Sequence, residues 1–189
     1  MSKAKLLILV GMPGAGKSTC VEYLENKNVP SVYFGGVTID EVKARGLDVN
    51  EANEKIVRED IRANEGKDAY AKRMLKKIAQ FEETGQEVIV VDGLYSWTEY
   101  KVFKEAYGEN AIIIAIAAKR KSRHERLASR PVRPLTDAEV TSREYAEIEN
   151  LEKGGPIANA DYTMLNDGTP ENLLEQFKSV LTENNIVIN

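Results

Sequence analysis

GMPGAGKST, residues 11–19, stands directly behind the apolar run KLLILV, residues 5–10. It fits G-x-x-x-x-G-K-[ST] at every fixed position, the pattern of a loop that cradles phosphates. Gly11, Gly14 and Gly16 let the chain turn tightly, so that backbone N–H groups from Gly11 through Ala15 to Thr19 can approach phosphate oxygens. Lys17 supplies a point charge for the β- and γ-phosphates, and the Ser18 hydroxyl can ligate Mg²⁺. A helix starting here adds the positive end of its dipole to the same anion site. The flanks agree with the motif. Leu6 to Val10 reads as a strand, and Cys20, Val21 and Leu24 fall on one face of a helix.

The strand candidates run from Lys5 to Val10, Val29 to Phe34, Glu87 to Val91, Ala111 to Ala117 and Tyr162 to Leu165. They alternate with helical segments, the signature of a parallel sheet covered by helices. AIIIAIAA, residues 111–118, is apolar on both faces, as an interior parallel strand should be. The spacing predicts helices over residues 17–26, 38–45, 49–64, 67–83, 97–107 and 122–129. Thr136-Asp-Ala-Glu139 is a capping box, and Gly154-Gly155-Pro156 reads as the stop of the helix it opens. Pro170-Glu171 starts a last helix with Leu173, Leu174, Phe177, Val180 and Leu181 on one face.

Composition limits the function classes. A chain of 189 residues with 42% hydrophobic and 30% charged residues has the profile of one globular domain. A net charge of −4 argues against a general nucleic-acid binder, which needs a basic face. The single cysteine, Cys20, cannot form an internal disulfide and reads as a packing residue, which suggests a cytoplasmic setting. The N-terminal apolar run is too short to span a membrane, and no signal-peptide cleavage pattern follows it.

EVIVVDG, residues 87–93, ends its strand on Asp92, where an acid can face bound phosphates and hold Mg²⁺, often through water. The alternative is a plain Asp-Gly turn. Tyr95, Trp97 and Tyr100 follow as an aromatic cluster, suited either to stacking a planar acceptor or to helix packing. His124, the only histidine, has no partner in view and reads as a surface residue.

GMPGAGKST, VVDG, HERLASR and ADYTMLNDG, in that order, resemble the nucleoside-monophosphate-kinase-like group of P-loop proteins. The resemblance covers nearly the whole chain. FGGVTIDEVKARGL, IRANEGKDAYAKR and DGLYSWTEYKVFKEAYGENAIIIAI look most like a set of adenylate-kinase-related proteins best known from archaea, and the DYTMLNDGTPENLLEQF tail looks somewhat like dephospho-coenzyme-A kinases. The resemblance implies an α/β P-loop NTPase sandwich of three layers. It would hold a five-stranded parallel sheet with helices on both faces, an acceptor-binding helical region over about 35–84 and a short helical lid over about 126–153, all in one domain over 1–189. It implies ATP and Mg²⁺ as cofactors. Arg126 would stack on adenine, Arg130 reach the transferring phosphate, Arg143 close onto the phosphates, and the Asn166-Asp167-Gly168 loop select adenine.

The departures fall on the acceptor side. Such proteins usually carry G-D-x-x-R after the second strand and D-G-x-R after the third. Here Gly36 and Ile39 stand at the first pair and Tyr95 at the last. Isoleucine cannot replace a bidentate donor. Lys43, Arg45, Arg58, Arg62 and Arg73 are the substitutes at hand, Arg62 first, because IRANEG resembles the matching stretch of the archaeal set. The expected activity is phosphoryl transfer to a small acceptor, a nucleotide or nucleotide-like metabolite. Two alternatives stand beside it: an ATP-binding switch with slow ATPase activity and a protein partner, and, against the acidic balance, a kinase of nucleic-acid ends. Oligomeric state is not encoded in any pattern found.

Overall fold

The computed structural model describes residues 3–131 and 134–188. Five strands, β1 (Lys5–Val10), β2 (Ser31–Tyr33), β3 (Val88–Asp92), β4 (Ala111–Ala117) and β5 (Tyr162–Leu165), form one sheet in the order β2-β3-β1-β4-β5. Every pairing is parallel. β1 is therefore the middle strand, and its carboxyl end delivers the glycine-rich loop to the centre of the molecule. The register sets Leu9 opposite Asp92, which places the β3 acid beside the start of that loop.

Alternation along the strands builds a core on each face. Leu6, Ile8 and Val10 point into one, with Ile89, Val91, Ile113 and Ala115. Over them lie α2 (Phe34–Ala44), α3 (Glu51–Glu65), α4 (Ala69–Glu83) and α5 (Trp97–Tyr107), through Phe34, Ile61, Met74 and Phe103. Leu7, Leu9, Ile112, Ile114 and Ile116 point the other way, under α1 (Lys17–Glu25) and α9 (Pro170–Glu183), through Leu24 and Phe177. These are the three layers expected of a P-loop sandwich. The remaining helices, α6 (Arg120–Ser129), α7 (Asp137–Glu149) and the short α8 (Gly154–Ala158), stand at the carboxyl end of the sheet. α6 and α7 share only a small apolar cluster of Leu127, Leu135 and Val140. At about 1.5–3 kcal/mol per buried side chain, before the entropy of ordering, that cluster is a modest anchor.

Two local expectations change. Phe34-Gly35-Gly36 belongs to α2, and β2 is only three residues long. Burial of Phe34, Val37 and Val42 against the sheet outweighs the weak helix propensity of two glycines. Gly154-Gly155-Pro156 does not end α7, which stops at Glu149; it opens α8, with proline in the first turn where its missing N–H costs nothing. Residues 132 and 133, inside the expected lid range, lie outside the described residues.

Candidate active site

Strand, loop and helix lock the phosphate loop in place from several sides. Gly14 has φ 75°, and a Cβ there would stand 2.6 Å from the carbonyl oxygen of Arg123. Gly16, with φ 101°, caps α1 without a side chain, and a Cβ on it would collide with the Asn166 amide at 2.0 Å. Both positions therefore need glycine for conformation and for space. With no side-chain cap, the amides that open α1, at Lys17 and Ser18, stay directed at the loop's hollow, while the Thr19 N–H donates to the Gly16 carbonyl at 3.3 Å. Ala15 is buried under the loop and Ser18 is exposed at its rim. Lys17 Nζ donates to the Gly11 carbonyl at 2.9 Å. Burial, then the neighbouring Lys153 charge, pushes the Lys17 ammonium down to about 8.

Asp92 closes the same hollow from β3. Burial raises its carboxyl above the usual range, and the Lys17 charge works against that rise. Ser18 Oγ and Asp92 make a two-oxygen set. Mg²⁺ takes such a set when nucleotide phosphates and water supply its other ligands. No group of three or more His, Cys, Asp or Glu among the described residues forms a separate metal cluster.

Beside the phosphate loop stand α6 and the loop after β5. Asn166 is buried, donates through Nδ2 to the Ala15 carbonyl at 2.8 Å and through its backbone N–H to the Ala117 carbonyl at 2.8 Å. Asp167 Oδ1 accepts from the Lys119 N–H at 2.8 Å, and Gly168 leads into the Thr169 cap of α9. Asn166-Asp167-Gly168 is thus more than a plain turn: it clamps the phosphate loop to β4. Arg126 donates to the carbonyls of Asn166 at 2.8 Å and Gly14 at 3.4 Å, between loop and clamp. Arg130 is half-buried at the carboxyl end of α6.

His124 is not the surface residue the sequence suggests. Its ring lies between Asp137 and Glu144 of α7, bonded to the first through Nδ1 and 3.4 Å from the second through Nε2. Glu144 also takes Arg123 and, at 3.2 Å, Arg120. Arg123 reaches the Pro13 carbonyl at 3.4 Å. This ionic cluster, more than the small apolar one, ties α7 to α6 and both to the phosphate loop.

Between α3, α7 and the loop after β3 lies a cavity of about 830 Å³. Of the five basic substitutes, Arg58 and Arg62 line it; Lys43, Arg45 and Arg73 do not. Arg45 instead pairs with Glu41 and Asp60, and Arg73 with Glu65 and Glu41. Ile39 is also absent from the lining, whereas Tyr95 and Arg143 belong to it. Arg62 lies over the Tyr70 ring at 4.5 Å and faces Glu99 at 3.7 Å. Glu99 is 0% exposed, and burial raises its carboxyl. Its Oε2 caps α5, but Oε1 and the Arg62 Nε have no hydrogen-bond partner. Arg143 pairs with Glu147 at 3.1 Å and reaches Glu51 of α3 at 3.8 Å, bridging the mouth of the cavity.

Trp97 and Tyr100 do not face this cavity. They stack on each other at 4.7 Å, and Trp97 packs on α8, where a Cβ on Gly155 would meet it at 2.9 Å. Only Tyr95 of the aromatic cluster serves the site, held edge-on to Phe34 at 5.8 Å. Lys153, which no sequence pattern singled out, lies over the Tyr95 ring at 4.8 Å and donates to Glu147 at 2.6 Å. Burial acts to raise the Glu147 carboxyl, but Lys153 and Arg143 overcome it and hold it at about 2.

A parallel sheet in this order, with the phosphate loop at the end of its middle strand and an acid at the end of the next, defines a P-loop protein of the kinase fold. The chain belongs to the AAA domain family, whose profile matches residues 7–152. It is 34% identical over 181 residues to a UPF0200 protein of Thermococcus kodakarensis, covering 94% of this chain and 97% of that one. A UPF0200 protein of Sulfurisphaera tokodaii is 31% identical over 185 residues, covering 97% of each. Among solved structures, TT1252 from Thermus thermophilus superposes with a TM-score of 0.65 at 20% identity, over 96% of this chain and 98% of that one. A gluconokinase from Sinorhizobium meliloti gives 0.62 at 12% identity, over 97% and 95%. A shikimate kinase from Aquifex aeolicus gives 0.54 at 21% identity, over 95% and 98%. At these identities the structural likeness is one of fold, and function is a matter of the site.

Proposed function

We propose that the chain is an ATP- and Mg²⁺-dependent phosphotransferase acting on a small anionic acceptor, a nucleotide or nucleotide-like metabolite. The observation that supports this most directly is the cavity: Arg58, Arg62, Arg143 and Tyr95 line it, and Arg143 and Tyr95 also border the group around Lys17. Carboxylates line it too, Glu51, Glu54 and Glu147 among them, so the chamber is rich in charge of both signs, and a nucleotide site alone has no use for such a second chamber.

In this reading the phosphate loop, with Lys17, holds the β- and γ-phosphates, and Arg126 with the Asn166–Gly168 loop holds the base. Ser18 and Asp92 would hold Mg²⁺, whose charge would offset that of the phosphate oxygens. An acceptor oxygen forms its bond to the γ-phosphorus as the bond to the bridging oxygen breaks. The electron pair leaves on ADP, and where the acceptor atom is a phosphate oxygen no proton has to move. Positioning and charge stabilisation supply most of the catalysis in such transfers. Arg143 and Arg130 are the cations for the developing charge, and α6 with α7 forms the lid that excludes water.

The test is incubation with Mg-ATP and a pool of nucleoside monophosphates, their deoxy forms and dephospho-coenzyme A, read by mass spectrometry. A phosphorylated product that requires Lys17 supports the proposal. ATP hydrolysis with no phosphorylated member of the pool contradicts it and favours the switch reading.

A further inference from the structure

Three arginines line the cavity, and two of them are bonded to its acids. Arg58 donates to Glu51 at 2.6 Å and to Glu54 at 3.4 Å. Arg143 donates to Glu147 at 3.1 Å and lies 3.8 Å from Glu51. Arg62 differs. Its side chain is only 16% exposed, against 25% for Arg58 and 30% for Arg143, yet it makes no hydrogen bond with any described residue. A guanidinium carries five N–H donors. Burying them without acceptors is costly, so a buried arginine is normally hydrogen-bonded.

What holds Arg62 leaves those donors open. Its guanidinium lies over the Tyr70 ring at 4.5 Å, a contact that uses its charge and none of its N–H groups. Tyr70 is itself fixed, its hydroxyl paired with Thr38 Oγ1 at 2.8 Å. Glu99 stands 3.7 Å from Arg62 Nη2, beyond hydrogen-bond reach. The other oxygen of Glu99 is committed to α5, where it takes the N–H groups of Tyr95 at 3.0 Å and Ser96 at 2.9 Å. The Glu99 charge therefore rests partly on a helix N-terminus and offsets that of Arg62 only loosely. A buried pair that serves structure alone closes, as Lys153 does on Glu147 at 2.6 Å. Arg62 and Glu99 instead keep Nε and Oε1 without a partner. The side chain is aimed but left untied, at a wall of the chamber where Thr38, Ser96 and Thr98 add small polar groups.

We propose that Arg62 is the residue that grips the acceptor, through an oxyanion of that molecule, a phosphate or a carboxylate. The inference rests on the kinase reading above and names the group by which that site would know its acceptor. Both oxyanions accept two parallel N–H bonds from one guanidinium, a fork that lysine does not offer. Water can serve such donors in an open cavity, and an oxyanion replaces it with two charge-assisted bonds. Arg58, already bonded to two carboxylates, holds the chamber wall. Arg62 thus stands in, from a different helix, for the arginines missing at Ile39 and Tyr95.

The probes are methyl phosphate and acetate, which separate the two oxyanions without knowledge of the acceptor. The full chain is first saturated with Mg²⁺ and the imido analogue of ATP, which fills the phosphate loop and keeps the probes out of it. Each probe is then titrated at constant ionic strength, and the Arg62 Nε–Hε signal is followed by NMR; it is the signal missing from Arg62→Lys. Shielded from water, that proton should exchange slowly enough to be seen. One probe or both should shift it saturably. In Arg62→Lys, read at the amides of Ser96 and Thr98, affinity for that probe should fall about 10- to 100-fold. Arg62→Met alone leaves Glu99 buried and unpaired. The folding control is therefore Arg62→Met with Glu99→Gln, which should lose the same affinity while still binding the ATP analogue. An Arg62 signal that neither probe moves overturns the assignment, and so does a double variant that binds the probe as tightly as the wild type. A loss of probe binding that comes only with an equal loss of analogue binding and of melting temperature also overturns it, since that marks a structural pair. A wild type that does not bind the analogue removes the kinase reading and this assignment together.

Discussion

In the proposed reaction Lys17 is the residue on which nucleotide binding turns, and its environment gives that binding a pH signature. Free of ligand, its ammonium loses its proton at about 8, because burial and the Lys153 charge both favour the neutral amine. A polyanion in the loop reverses the balance and raises that value. Binding above about pH 8 must therefore take up a proton, and affinity for Mg-ATP should fall as pH rises through that point. Calorimetry at pH 8.5, in buffers of different ionisation enthalpy, would register the uptake; no buffer dependence would show that Lys17 stays charged throughout. The motif around Lys17 was fully legible in the sequence, since its residues are contiguous and the backbone does the work. Asp92 was legible for a similar reason, as an acid ending an apolar strand. Lys153, Glu147 and Glu99 were not. Each acquires its role from a partner brought close by the fold: Lys153 by Tyr95, far away in sequence, and Glu99 by Arg62 of another helix. His124 was misread for the same reason, because Asp137 and Glu144 reach it only when α7 folds back on α6.

At the scale of elements, α7 and α8 depend on charge more than on apolar contact. Glu147 ties Arg143 and Lys153 together, and removing one member of a buried ionic group strands the others. Glu147→Gln should cost about 3 kcal/mol at pH 7 in denaturant melts. The sign with pH follows from its depressed carboxyl. The stabilisation is present above the ordinary glutamate value and is lost as pH falls from there toward about 2. The difference between wild type and variant should therefore shrink across that window; a constant difference would mean that the charge of Glu147 is not what matters. The loop after β5 is the second dependent element. Asn166→Ala frees the Ala15 carbonyl and opens space beside Gly16, so the phosphate loop loses its clamp. Expected are a loss of about 1–3 kcal/mol in stability and a weaker affinity for Mg-ADP, both measurable on one preparation. The helix over Phe34-Gly35-Gly36 and the short α8 were unreadable locally. Phe34 joins α2 because the sheet buries it, and Gly155 is needed because the Trp97 ring occupies the space of a side chain.

Across the whole molecule, the proposed donor and acceptor halves are unequally encoded. The donor half is built at the carboxyl end of the middle strand, from consecutive residues, and follows from the sheet order. The acceptor half is assembled from α3, α7 and the loop after β3. The arginines missing at Ile39 and Tyr95 therefore do not leave it without cations. Arg58 and Arg62 line it from α3, and Lys153 covers the Tyr95 ring. Ile39 lies off the cavity's lining, although its neighbour Thr38 belongs to it. No helix among the described residues is long and apolar enough to cross a membrane. The measurement that bears most directly on phosphoryl transfer is the rate of ADP formation from Mg-ATP, with and without each acceptor of the panel, using Lys17→Ala as control. The account predicts a low basal rate that rises sharply with one class of acceptor and vanishes in the control. A rate indifferent to every acceptor, yet raised by a protein partner, would contradict it.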